Sequence, residues 1–214
     1  MRVKRFINSR TTILLASLAV IVSACASVEP KRAPAKIEIQ DSVGFTIKED
    51  GRVSNDTRAN YDRALALLDQ GQLDEGIQLL ESVAEAAPEL SAPRIDLGIA
   101  YERAGDLDAA EKNLKLALES NPDHPIALNE LGIVHRKTGH FAEAKQDYEA
   151  ALAVYPGYHY ARRNLGVLCD LYLDDLNCAL TQYEAYMKTV PGDDEVTIWI
   201  ADIRNRLGQQ EKGQ

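Results

Sequence analysis

Two kinds of hydrophobic pattern divide the chain. Residues 13–22, ILLASLAVIV, form an unbroken apolar run in which Ser17 is the only polar member. From residue 57 onward, apolar side chains return every third or fourth position, the spacing of one face of an α-helix. Between these regions, Ile37 and Ile39, then Val43, Phe45 and Ile47, alternate with polar residues at the period of a strand. Asp50-Gly51 is a type I′ turn signal. The stretch therefore allows a short hairpin, which alone is marginal in water. It would be either a tail packed on the first helix or a strand offered to a partner.

The helical part repeats. Pro88, Pro122, Pro156 and Pro191 are spaced 34, 34 and 35 residues apart, and Gly71, Gly105 and Gly139 march with them. Leu97-Gly98-x-x-Tyr101 returns as Leu131-Gly132-x-x-His135 and Leu165-Gly166-x-x-Cys169. Ala110-x-x-x-Leu114 returns as Ala144-x-x-x-Tyr148 and Ala179-x-x-x-Tyr183. The pattern predicts helix pairs. First helices fall at about 57–70, 91–104, 125–138 and 159–172, and second helices at about 73–86, 107–120, 141–154 and 176–189. Ser91 with Pro93, and Asp123 with Pro125, read as helix starts. Glycine inside the first helix lets the second lie close, and proline ends the second helix because it cannot continue the hydrogen-bond ladder.

This period and these motifs resemble the tetratricopeptide repeat, whose signature is Leu-Gly-x-x-Tyr, Ala-x-x-x-Phe, then Pro over 34 residues. The resemblance covers residues 57–193. It implies an all-α fold, a right-handed superhelix (α-solenoid) of about four hairpins at 57–90, 91–124, 125–158 and 159–193. The fourth hairpin departs from the pattern: it carries one extra residue, and its turn, Leu173-Asp174-Asp175-Leu176-Asn177, has no glycine. Residues 194–207, with Val196, Trp199, Ile200 and Ile203 at helical spacing, read as the helix that caps the stack. Residues 208–214 read as a disordered tail.

The amino-terminal run now gains meaning. Residues 1–10 carry Arg2, Lys4, Arg5 and Arg10 and no acid, and the apolar run after them is short of the ~20 residues of a spanning helix. That is an export-signal layout. Val22-Ser23-Ala24-Cys25 resembles the bacterial lipobox, which implies a signal peptide over 1–24 and acylation of Cys25 as the first mature residue. Ala26 at the next position, rather than Asp, implies sorting to the outer membrane, facing the periplasm. Residues 26–36, with Pro30 and Pro34, read as a stiff linker within a lipidated amino-terminal region spanning 25–56. Loss of the four basic residues moves the net charge from −9 to −13. So acidic a chain repels nucleic acid and anionic lipid surfaces.

The remaining candidate chemistry is sparse. Cys169 and Cys178 form an even pair in an exported protein, to be read either as a disulfide bracing the glycine-less turn or as two buried thiols. The Cys-x-x-Cys redox spacing is absent. No two of His124, His135, His140 and His159 stand at metal-ligand spacing, and no nucleophile, metalloprotease, phosphate-loop or dinucleotide motif occurs. The reading is a non-enzyme with no cofactor, no metal and no small-molecule substrate.

Stacked hairpins curve, and by resemblance the first helices line the concave side, where an extended or helical peptide of a protein partner is held. Ile99, Ile133 and Val167 repeat there at one register. Ile95, Asn129 and Arg163 lie beside them, Glu102 and Arg136 one turn on, and Ile126 and Tyr160 toward the helix starts. These ten residues are the candidate groove; equally, the apolar ones only pack adjacent helices together. Asp96 and Glu130 would repel a terminal carboxylate. The expected function is an envelope scaffold, anchored by lipid, that supports assembly of a machine such as a pilus or secretion system. The alternatives are an adaptor for periplasmic proteases or cell-wall enzymes, and a holdase.

Overall fold

The computed structural model describes residues 36–40, 44–48 and 53–212. Cys25 and the signal and linker segments lie outside the described residues. Two strands, β1 (Lys36–Gln40) and β2 (Gly44–Lys48), pair antiparallel with Ile37 opposite Ile47 and Ile39 opposite Phe45. The chain reverses between Gln40 and Gly44, upstream of the Asp50-Gly51 signal. This register aligns apolar position with apolar position, which an Asp50-Gly51 turn would not do for Ile37 and Ile39.

Nine helices follow among the described residues. The first helices are α1 (Asn55–Asp69), α3 (Ala92–Ala104), α5 (Pro125–Lys137) and α7 (His159–Leu171). The second helices are α2 (Leu73–Ala86), α4 (Leu107–Ser120), α6 (Phe141–Val154) and α8 (Leu176–Thr189). Helix α9 (Asp194–Lys212) closes the stack and runs five residues past the expected end at 207. Each helix packs on the next along the chain, so the fold is an α-solenoid of four hairpins plus a terminal helix.

The repeated small residues make this packing fit. A Cβ at Gly98, Gly132 or Gly166 would stand 2.5–2.6 Å from Leu114, Tyr148 or Tyr183 of the second helix. Gly105 and Gly139 close first hairpin helices at φ +86° and +83°, a left-handed turn that side chains disfavour. The fourth hairpin makes its turn with Asp174 at φ +50°, a conformation Asp tolerates better than most residues. Its helices are joined by a disulfide between Cys169 and Cys178, with Cα atoms 5.8 Å apart.

Capping is mostly acidic. Asp106, Asp175 and Asp193 accept from the backbone N–H three residues on, at 3.0, 3.0 and 3.1 Å. Two expected starts differ. Ser91 precedes α3 without a side-chain cap bond, and α5 is capped by His124 rather than Asp123. His124 Nδ1 accepts from Ala127 N–H at 3.4 Å, so the ring is a neutral acceptor there. Burial holds its pKa down, at about 4.

Candidate partner groove

First helices touch the first helices of the next hairpin, α3 on α5 and α5 on α7, while second helices stay further apart. That difference curves the stack toward the first helices and makes their shared face the groove. Polar bonds tie the face together at a regular step. Tyr61 O–H donates to Asp96 at 2.5 Å, Arg103 to the Leu68 carbonyl at 3.4 Å and Asn164 to Asn129 at 2.9 Å, and Lys137 pairs with Glu102. In every case the partners are 35 residues apart, one repeat plus one residue. Toward the fourth hairpin the step varies: Arg136 reaches the Tyr172 hydroxyl at 3.5 Å and Arg206 pairs with Asp170 at 2.7 Å across 36 residues, and Arg163 donates to Glu195 across 32.

The ten sequence-selected residues meet different fates. Ile95 is buried and Asn129 is 1 % exposed, so they form the floor. Ile99, Ile126, Ile133 and Val167 are half-buried and pack against the core clusters. Glu102 is held by Lys137, and Arg136 lies over the Tyr172 ring, 5.8 Å from its centroid. Arg163 donates to Glu195 at 2.8 Å and stacks 4.9 Å from the centre of the Trp199 ring. Tyr160 stands 59 % exposed. The polar members of the candidate groove are thus largely spent on joining repeats. Sequence reading placed Asp170 one turn on with Glu102 and Arg136, and missed Lys137, Leu171, Glu195, Ile198 and Arg206. A search for complementary side chains at one repeat plus one residue finds the Glu102–Lys137 pair.

Two carboxylates in the floor have no cation paired with them among the described residues. Burial raises the Asp96 carboxyl, with the Tyr61 hydrogen bond pulling the other way. Burial pushes Glu130 up to about 7, against a hydrogen bond from the Asn129 amide at 2.9 Å, with Glu102 adding to the rise. On the opposite side of α5, His135 replaces the usual Tyr and shares a 2.6 Å hydrogen bond with Asp147. No group of three or more potential ligands converges as a metal site among the described residues. No helix there is long and apolar enough to cross a membrane.

A stack of antiparallel helical hairpins, curved toward its first helices, is the architecture of a helical-repeat protein. Residues 67–158 of the stack carry tetratricopeptide repeats: that family's sequence pattern matches residues 67–131 and again 125–158. Solved structures agree in fold. MamA residues 41-end from Desulfovibrio magneticus RS-1 matches with 19 % identity and a TM-score of 0.66, over 75 % of this chain and 90 % of that one. PilF of Pseudomonas aeruginosa matches with 19 % identity and a TM-score of 0.65, over 72 % and 69 %. The first repeat domain of Spaghetti (RPAP3), solved bound to the HSP90 peptide SRMEEVD, matches with 22 % identity and a TM-score of 0.53, over 55 % and 95 %. A search of the curated proteins finds no match.

Proposed function

We propose that this chain is a protein-binding scaffold, held to the outer membrane by acylation at Cys25 and presenting its first-helix groove to a partner in the periplasm, where it supports assembly of an envelope machine. One observation carries the binding part. The groove face leaves Tyr160 exposed and Ile99, Ile126, Ile133 and Val167 partly in water, while its polar side chains are largely tied to one another. Such a surface gains more from covering an apolar partner than from polar exchange. The Spaghetti domain, which matches 55 % of this chain, supports the idea that such a repeat stack holds a peptide. That acidic peptide would meet Asp96 and Glu130 here, so the partner differs in chemistry. The anchor rests on the order of basic start, apolar run and Val22-Ser23-Ala24-Cys25.

Site-specific photocrosslinking in cells tests the groove. A photoreactive residue at Tyr160 or Ile133 is expected to capture one recurrent partner, and one at Lys112 on α4 is not. Capture only from Lys112 removes the groove reading. Mass spectrometry of the mature amino terminus tests the anchor, with acylated Cys25 expected and an uncleaved Met1 against it. One envelope component supports the assembly role. Hydrolases would favour the adaptor, and many unrelated unfolded clients the holdase.

A further inference from the structure

Glu102, Arg136 and Asp170 occupy one register of α3, α5 and α7, 34 residues apart. The two outer members are acids, and each meets a cation about one repeat later. Lys137 holds Glu102, and Arg206 holds Asp170 at 2.7 Å. The middle member reverses the sign. Its counterpart 36 residues on is Tyr172, whose hydroxyl accepts from the Arg136 guanidinium at 3.5 Å. The Tyr148 hydroxyl also lies beside Arg136, and burial keeps that group neutral, with its pKa pushed up to about 12. No carboxylate among the described residues pairs with this half-buried arginine. Exposed apolar surface adjoins it. Leu171 is 67 % exposed and Tyr172 42 %. The Tyr172 ring packs against Phe141 with centres 4.8 Å apart, and the Arg136 guanidinium stands 5.8 Å from its centroid, so the ring is held before anything docks. Leu171 follows Val167 by one helical turn on the groove stripe of α7.

We propose that Arg136, Leu171 and Tyr172 form an anchoring subsite of the groove, which takes one aspartate or glutamate side chain of the partner together with an adjoining apolar residue. The inference rests on the groove reading above and names one contact within it. Charge decides the sign. Glu102 and Asp170, the acids at the same register, are held by Lys137 and Arg206, so neither neutralises Arg136. A carboxylate from outside supplies the missing counter-ion. Shape decides the group. A guanidinium beside a ring keeps edge N–H groups for a planar acceptor with two oxygens. The surroundings decide the number. Glu130 stands six residues back on α5, about 9 Å along the axis, with no cation paired to it among the described residues. A second acid reaching that far would be repelled. The segment that fits is apolar, with a single acid at the Arg136 end and neutral or basic residues toward Glu130.

Selection of randomised 12-mer peptides on the purified full chain tests this, with one library amidated at the carboxyl end and one left free. The expected winners of the amidated library share one Asp or Glu next to a large apolar residue. Exchanging that acid for its amide should cost about tenfold or more in affinity on the parent protein and nothing further on Arg136→Gln. Arg136→Lys should recover only part of the loss, because lysine is a point charge. Leu171→Ser should weaken the same winners at an unchanged melting curve, since that side chain is exposed. If Arg136→Gln does not fold, the acid-to-amide exchange on the parent protein still decides, and no loss there overturns the proposal. So do losses from the amide and from Arg136→Gln that simply add, and winners found only with free carboxyl ends. Winners that carry no acid yet weaken with Ile133→Ala overturn this subsite and leave the groove reading standing. Winners indifferent to Arg136, Leu171 and Ile133, or no winners from either library, sink both.

Discussion

The joint between the first hairpin and α3 and the joint between the fourth hairpin and α9 use one repeat frame and fill it differently. At the first, Ala64, Ala84 and Ala100 pack with Leu68, Leu80 and Leu97, and a cavity of about 110 Å³ remains, lined by Val53, Tyr61, Val83, Leu90 and Pro93 among others. At the last, the Tyr183 ring packs tilted against Trp199 with ring centres 5.3 Å apart, over a core of Leu168, Val196 and Ile203. That joint also carries ion pairs to α9 from Arg163, Asp170 and Glu184, and the hairpin beneath it carries the disulfide. Small residues at fixed spacing set where helices lie; large ones between them set how firmly they stay. In a solenoid, stability is roughly a sum of local terms. The carboxyl-terminal end is therefore the rigid platform, which suits it to display apolar side chains, and the amino-terminal end opens first.

The strongest challenge to this contrast is Tyr183→Ala. The ring is 1 % exposed and fills the space that Gly166 leaves. Its loss is expected to remove about 3–5 kcal/mol. Leu80→Ala beside the underfilled joint is expected to remove about 2–3 kcal/mol, because neighbours can relax into free space. Urea unfolding followed by hydrogen exchange on α1–α2 and α7–α8 separates them. Equal losses, or faster exchange in α7–α8, would reverse the ranking of the two ends.

This contrast also marks how far sequence reading reaches. The helix boundaries of all four hairpins were legible within two residues, because Gly-98-type and Pro-88-type positions report backbone geometry, and backbone geometry repeats. What fills a joint was less legible. Ile95 and Ile99 sit one helical turn apart on one apolar pattern, yet one is buried and the other half-buried. Burial there depends on which side chains of the neighbouring repeat arrive, and that is not a property of either repeat alone. Arg163 and Glu102 looked like groove ligands because their partners, Glu195 and Lys137, lie about a repeat away. The hairpin turn was misplaced because Asp50-Gly51 is a strong local signal, while register is fixed by pairing across both strands.

Next in size is the disulfide. It closes a loop of 9 residues in the hairpin whose turn lacks glycine, so Cys178→Ser should cost about 2–3 kcal/mol. Reductant should bring the parent protein down to the same urea midpoint. A midpoint unmoved by reductant would mean that the aromatic packing alone holds this end.

The groove carboxylates extend the comparison. Near α9, Asp170 and Glu195 have arginine partners, while Glu130 in the middle has none among the described residues. Its folded pKa, about 7, lies above its ordinary 4.5, so the folded state holds the proton more tightly. Stability from this group is therefore full below pH 4.5, falls as pH rises toward 7, and is flat above. Partial access to water keeps the loss to about 1–2 kcal/mol. His124 acts in the opposite sense: burial lowers it to about 4 from 6.5, so stability falls as pH drops from 6.5 toward 4. Glu130→Gln should abolish the loss between pH 4.5 and 7 and leave the acid-side loss intact. An unchanged pH profile would place the Glu130 carboxyl in water.

The smallest effect is the most direct reading of the first joint, and it has the opposite sign. Val83 is buried and lines the cavity. Val83→Ile adds one methylene where the cavity has room. Burying a methylene is worth up to ~0.8 kcal/mol, less whatever rotamer adjustment the helix demands. A rise in the urea midpoint, with slower exchange confined to α1–α3, is expected. The same enlargement at Val196, also buried but in the filled joint, should destabilise, because there the added atoms must displace packed neighbours. Opposite signs at two valines separate a frame from its filling. A loss at both would mean that the first joint is already as full as the last.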